Sequence, residues 1–130
     1  QALTDITGFG LIGHLVEMLR AANVGASIDL TAVPFLEGAE SLAKDGIRSS
    51  LHSSNLRIES VIQNAASYSA DERYALCFDP QTSGGLLGAV PANQAPQCLR
   101  KLHALGYSAS IIGSVGVAPA IPREPMITLS

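Results

Sequence analysis

Two short stretches hold most of the residues able to do chemistry. The first is Thr4-Asp5-Ile6-Thr7-Gly8-Phe9-Gly10-Leu11-Ile12-Gly13-His14. A carboxylate stands just ahead of a glycine-bearing helix start, where unpaired N–H groups and the positive end of the helix dipole collect. The glycines let another backbone or a ligand come close. This suits phosphate oxygens held at the helix end and a divalent cation held by Asp5, because Mg²⁺ is usually bound by one or two carboxylates plus substrate phosphates. The same residues equally suit a structural start in which Asp5 offsets the dipole and Thr7 caps the helix. The second stretch is Asp79-Pro80-Gln81-Thr82-Ser83-Gly84-Gly85-Leu86-Leu87. A carboxylate, an amide and two hydroxyls crowd together before a Gly-Gly pair. The result is either a polar loop able to order water, a metal's outer ligands or a neighbouring domain, or a well-made turn.

Other reactive side chains read as structural. His14 lies one turn into the first helix near Glu17 and away from other metal-ligand types, as a packed or hydrogen-bonded histidine would. His52 and His103 have no partner spacing that makes a zinc site. Cys77 in a strand and Cys98 on an apolar helical face read as small core residues, and the pair has neither metal nor redox spacing. A reducing, cytoplasmic setting suits two such thiols.

Composition narrows the function classes. The chain has 130 residues, 47% hydrophobic and 15% charged, the latter below the roughly 25% of an average soluble protein; the missing charge points to surface covered by something else. Eight Lys+Arg against eleven Asp+Glu give a net charge of −3 with no basic run, so no nucleic-acid footprint is expected. The longest apolar stretch, over 11–19, is broken by His14 and Glu17, far short of the roughly 20 residues of a membrane span.

The elements that must position the two stretches follow from periodicity. Phe9, Ile12, Leu15, Val16, Leu19 and Ala22 give a helix over 8–23, with Thr7 as N-cap, Gly25 as left-handed stop, and Gly10, Gly13, His14 and Glu17 on another side. A short strand is expected at 26–30, a helix at 36–44, a serine-rich loop at 46–55 and a helix at 56–67. Strands at 74–78 and 85–90 would form a hairpin across the polar turn. A helix at 93–105 stops at Gly106, and a strand at 107–117, bent or bulged at Gly113 or Gly116, closes the core. Pro119, Pro122 and Pro125 favour an extended surface tail over 118–130. Irregular alternation of helices and strands with a hairpin predicts an α+β layered domain whose mixed sheet is packed by helices. The start at Gln1, with a helix almost at once, reads as a fragment.

The strings at 4–14 and 79–87, each contiguous and in this order and separation, resemble the C-terminal domain of the selenophosphate synthetase (selenide, water dikinase) family. That family shares a superfamily with aminoimidazole ribonucleotide synthetase, the hydrogenase maturation dehydratase and thiamine-monophosphate kinase. Residues 108–113 are also in keeping, whereas 46–56 and the proline-rich tail look variable. The resemblance implies an enzyme that turns ATP, selenide and water into selenophosphate, AMP and phosphate with Mg²⁺, as a homodimer. Residues 1–130 would be its single C-terminal domain. The nucleotide cradle, further metal carboxylates and the catalytic Cys or selenocysteine with its Lys would lie in an N-terminal ATP-binding domain absent from this chain. Carried over residue by residue, the resemblance makes Asp5 a Mg²⁺ ligand and assigns no catalytic residue. Asp79, Gln81, Thr82 and Ser83 match the motif, and their loop is expected to shape the interdomain cleft. Alternative readings are a non-catalytic paralogue or interaction domain of the same superfamily, or a related ATP-dependent enzyme with another acceptor.

Overall fold

A computed structural model describes residues 2–117 and 126–130. In chain order the elements are β1 (Ala2–Asp5), α1 (Gly10–Ala22), β2 (Val24–Ile28), α2 (Ala39–Lys44), α3 (His52–Asn55), α4 (Glu72–Leu76), β3 (Leu86–Ala89), α5 (Ala95–Ala104), β4 (Gly113–Val117) and β5 (Ile127–Leu129). Short 3₁₀ turns lie at Leu30–Ala32, Leu56–Val61 and Ala65–Tyr68. The strands form two sheets. One is the antiparallel pair β1–β3; the other, in the order β4–β2–β5, is mixed, with β2 antiparallel to β4 and parallel to β5. The α+β class with a mixed sheet is as predicted.

Helix α1 is the centre of the core. Leu11, Ile12, Leu15, Val16 and Leu19 are buried against Ile28, Leu30, Ile62, Tyr74, Phe78, Leu87, Ile127 and Leu129. Burying side chains of this size stabilises the fold by about 1.5–3 kcal/mol each. Burial goes beyond one face: all residues from 10 to 16 are buried, including Gly10, Gly13 and His14, which the sequence places on another side. Phe9, expected in the core stripe, is exposed. The helix stops at Asn23 rather than Gly25. Asn23 adopts φ 52, and its N–H caps the Arg20 carbonyl; asparagine tolerates this left-handed region where most residues do not.

Several expected elements are corrected by long-range contacts. The strand at 74–78 is a helix, α4, capped by Asp71, whose carboxylate accepts from the Arg73 and Tyr74 N–H groups. Tyr74, Cys77 and Phe78 fit helical spacing as well as the alternation of Tyr74, Leu76 and Phe78 fits a strand, and the first set is the one buried. The hairpin is therefore absent, and β3 pairs with β1 instead. The Arg73 guanidinium then ties α4 to the Leu30 and Val33 carbonyls and to Glu40, over the Phe35 ring. The helix expected at 56–67 is two 3₁₀ turns, because Ile62 is extended and bridges to Ile127. The loop at 46–55 closes with one helical turn, α3. The strand at 107–117 is confined to β4, whose register with β2 runs unbroken through Gly113 and Gly116. Helix α5 ends as expected, with Gly106 at φ 83.

The tail reading over 118–130 is corrected at its end. Pro119, Pro122 and Pro125 lie outside the described residues, but β5 is a core strand with Ile127 and Leu129 buried. The Asn64 side chain pairs with Leu129 like a neighbouring strand, donating to its carbonyl at 2.7 Å and accepting its N–H at 2.9 Å. Leu129→Ala is therefore expected to cost about 2–4 kcal/mol in urea unfolding. A change within about 0.5 kcal/mol, the value for a surface site, would return this segment to the surface.

Candidate functional site

The two chemistry-bearing strings, about seventy residues apart in sequence, are one structure in space. Asp5 ends β1 and faces Leu86 across the ladder. The next residue, Ile6, donates its N–H to the Gly85 carbonyl at 2.9 Å. The Thr7 carbonyl then accepts from the Gln81 N–H at 3.0 Å and the Gly10 N–H at 3.1 Å. Gly84 lies so close to Ile6 that a Cβ there would overlap the Ile6 carbonyl oxygen. The polar loop 79–85 is thus laid along residues 5–8.

A second set of contacts fixes the helix start to the segment before that loop. Gly10 has φ +68, and a Cβ would lie 2.9 Å from the Cys77 carbonyl oxygen and 3.0 Å from that of Asp79; only glycine meets both demands. The Ile12 N–H donates to the Cys77 carbonyl at 3.1 Å. The Asn55 side-chain amide donates to the Gly8 carbonyl at 2.9 Å and the Phe78 carbonyl at 3.0 Å, joining the first string to the residue just ahead of the second.

This geometry alters the sequence reading of the helix start. The close approach allowed by glycine is made by the chain's own backbone, not by a ligand. Two first-turn N–H groups, those of Gly10 and Ile12, are already paired, and the turn is buried, so α1 offers no open anion cradle. Thr7 does not cap it either: Phe9 holds that position with no side-chain bond. The Thr7 hydroxyl instead lies 3.1 Å from His14 Nε2, and the Thr7 N–H donates to the same nitrogen at 3.0 Å. His14 is buried and hydrogen-bonded, as the sequence suggests, with the Phe9 ring 5.6 Å away.

Asp5 itself is exposed. The side-chain bond recorded there is from Thr4 Oγ1 to the Asp5 main-chain oxygen, and no described residue donates to its carboxylate. Its strand neighbour Leu3 on the same face is 68% exposed, and Leu86 opposite it is 72% exposed. No group of three or more His, Cys, Asp or Glu among the described residues could hold a metal ion. Asp79 is half-buried beside His52. Burial and the Arg48 charge hold the His52 imidazole below its usual pKa, against the opposing pull of Asp79, and His52 Nδ1 is buried without a partner. Cys77 is fully buried at the end of α4 rather than in a strand, and burial pushes its thiol up to about 12. That suits a small core residue and rules out a poised nucleophile. Cys98 is half-buried on α5.

The whole arrangement can be compared with known proteins. Residues 1–121 match the family described as AIR synthase related protein, C-terminal domain. The chain belongs to that family. Among curated relatives of this AIR synthase related domain is the selenide, water dikinase of Myxococcus xanthus (strain DK1622), 41% identical over 116 residues, which are 88% of this chain and 33% of that protein. The enzyme of the same name from Pseudomonas straminea is 40% identical over 114 residues, 87% of this chain and 32% of the relative. That from Rhizobium meliloti (strain 1021) is 38% identical over 129 residues, 92% and 34%. The chain spans about a third of the length of these relatives.

Sequence reasoning found both strings but not what joins them. Asn55 carried no signal beyond its place in a polar loop, and its two acceptors are main-chain oxygens that any residue would supply. Asn55→Ala should cost about 1 kcal/mol in denaturant unfolding, since the part-buried Phe78 carbonyl and the exposed Gly8 carbonyl lose their donor. His52 supplies a pH test. Its folded pKa lies below the ordinary 6.5, so its stabilising contribution is present above that pH and lost as pH falls through the folded value. His52→Gln should therefore flatten the acid-side fall of Tm relative to the native chain, and parallel curves would count against this burial.

Proposed function

We propose that the chain is the C-terminal domain of a selenophosphate synthetase, an enzyme that makes selenophosphate, AMP and phosphate from ATP, selenide and water. The observation that carries the reading is the union of the 4–14 and 79–87 strings around an exposed carboxylate in a chain 36–41% identical to several selenide, water dikinases. Residues 1–130 act as one domain. The nucleotide cradle and the nucleophile belong to an N-terminal ATP-binding partner domain of the same polypeptide, and the working enzyme is a cytoplasmic homodimer. Two unpaired cysteines suit a reducing compartment. Among the described residues no helix is long and apolar enough to cross a membrane.

The chemistry is phosphoryl transfer, in which protein groups position reactants and offset charge. Mg²⁺, when bound, would neutralise phosphate oxygens, and Asp5 is the residue of this chain that would hold it. A single free carboxylate fits the habit of Mg²⁺, which takes one or two carboxylates together with substrate phosphates and waters; the remaining ligands come from ATP and the partner domain. Coulomb attraction at a contact of about 4 Å grows several-fold when water is excluded. The exposed Leu3 and Leu86 beside Asp5 on the β1–β3 ladder form a rim that docking would dry. The 79–85 loop, backed onto residues 5–8, shapes the cleft. The isolated chain should consequently bind Mg²⁺ and ATP weakly and be catalytically silent.

A selenide-dependent assay of ATP conversion to AMP on the longer protein tests the activity directly. Asp5→Ala should abolish AMP formation while the thermal unfolding midpoint is kept. Near-normal turnover at saturating Mg²⁺ would remove the metal role, and absence of any selenide-dependent turnover in the unaltered protein would favour a non-catalytic relative.

A further inference from the structure

His14 is the one buried polar side chain among the described residues, 7% exposed within a helix start that is buried throughout. Burying an imidazole beside Phe9 and the core costs free energy unless its nitrogens find partners. Nε2 is hydrogen-bonded, and Nδ1 has a carboxylate oxygen within ion-pair distance. The Thr7 N–H points at Nε2 from 3.0 Å, and a nitrogen that accepts this bond carries no proton. The hydrogen-bond network thereby assigns the ring N–H to Nδ1, 3.4 Å from a Glu17 carboxylate oxygen. The Thr7 hydroxyl closes on the same Nε2 at 3.1 Å.

This bond holds more than a turn. Thr7 is two residues beyond Asp5, and its carbonyl is already held by Gln81 and Gly10. With the N–H held by His14, both main-chain polar groups of Thr7 are tied to α1 or to the 79–85 loop. The end of β1 therefore has its position set by the best-buried helix of the molecule. Asp5 itself has no such restraint on its carboxylate, so its placement depends on the backbone that carries it.

We propose that His14 is a positioning residue for the Asp5 carboxylate, acting through the Thr7 N–H as acceptor. The inference rests on the metal reading of Asp5 and assigns a role that the motif alone does not. It predicts a chemical requirement: position 14 needs an unprotonated acceptor, not an imidazole as such. Glutamine can present its carbonyl oxygen to the Thr7 N–H, whereas leucine fills similar space with no acceptor.

The test uses the longer protein with three substitutions, His14→Leu, His14→Gln and Asp5→Asn. Each is assayed for the Mg²⁺ concentration at half-maximal turnover, for kcat against KM for ATP, for Tm and for hydrogen exchange of the Thr7 amide. His14→Leu should raise the Mg²⁺ requirement by roughly ten-fold or more, as loss of a ligand's supporting hydrogen bond does, and should remove Thr7 amide protection. His14→Gln should restore both to within about three-fold of the native values, which a purely structural role keyed to volume would not do. Equal Mg²⁺ requirements for the two His14 variants would overturn the proposal. If the leucine variant does not fold, a Thr7 amide that exchanges at loop rates in the native protein overturns it alone. A native Mg²⁺ requirement in Asp5→Asn would instead overturn the metal reading, and is told apart by intact Thr7 protection in that variant.

Discussion

The first turn of α1 lies against the main chain of residues 77–79, and the candidate site depends on that contact. Only a glycine at position 10 can be there, because the approach is backbone to backbone and the dihedral is left-handed. Once the turn is seated, the Cys77 carbonyl takes the Ile12 N–H, and Asn55 can reach the Gly8 and Phe78 carbonyls together. The loop that follows residue 78 then has no choice but to run beside residues 5–8. β1 and β3 pair as a consequence, since the chain leaving that loop is already alongside β1. A two-stranded ladder is marginal by itself; here it is held at its open end by the helix contact and by Leu87 entering the core.

The electrostatic character of the site follows from the same packing. Many polar atoms of the 4–14 string are consumed internally: main-chain groups of Ile6, Thr7, Gly8, Gly10 and Ile12 have partners, and His14 Nε2 is hydrogen-bonded to Thr7. The Asp5 carboxylate is left over. It stands beside the exposed Leu3 and Leu86 on the β1–β3 ladder rather than among other ligands, so this face presents a carboxylate with apolar surface around it. A lone carboxylate in water attracts a cation weakly, while the same group in a closed, drier cleft attracts it strongly. A domain that supplies one wall of a site, and gains function when that wall is covered, is the economical reading of such a surface.

Much of the fold was legible where pattern and packing agree. The α1 and α5 helices, the stop at Gly106 and the mixed α+β class follow from apolar spacing and turn residues. The errors arose where one string of residues satisfies two periods. Tyr74 to Phe78 alternates like a strand, yet the Asp71 cap and the burial of Tyr74, Cys77 and Phe78 make it a helix. Ile62 breaks an otherwise helical stretch because it is needed beside Ile127. The final strand was hidden because three short apolar positions after a proline-rich stretch have no periodicity of their own; they become a strand only because β2 offers an edge. Thr7 looked like a cap because local spacing cannot reveal that a histidine seven residues on will take its N–H.

The sequence by itself determined which residues could carry chemistry: the acid at 5, the glycines that permit close approach, and the polar loop at 79–85, because side-chain type and short-range spacing are local properties. It also placed the central helix, because a repeated 3/4 spacing has one cheap solution in water. What only the tertiary structure decided is that the two strings are packed together, that the helix start is closed by backbone rather than open to anions, and that Asp5 is exposed. Those outcomes depend on main-chain carbonyls and N–H groups meeting across about seventy residues. Such groups are the same in every residue but proline, so nothing in the order of side chains announces which of them will meet.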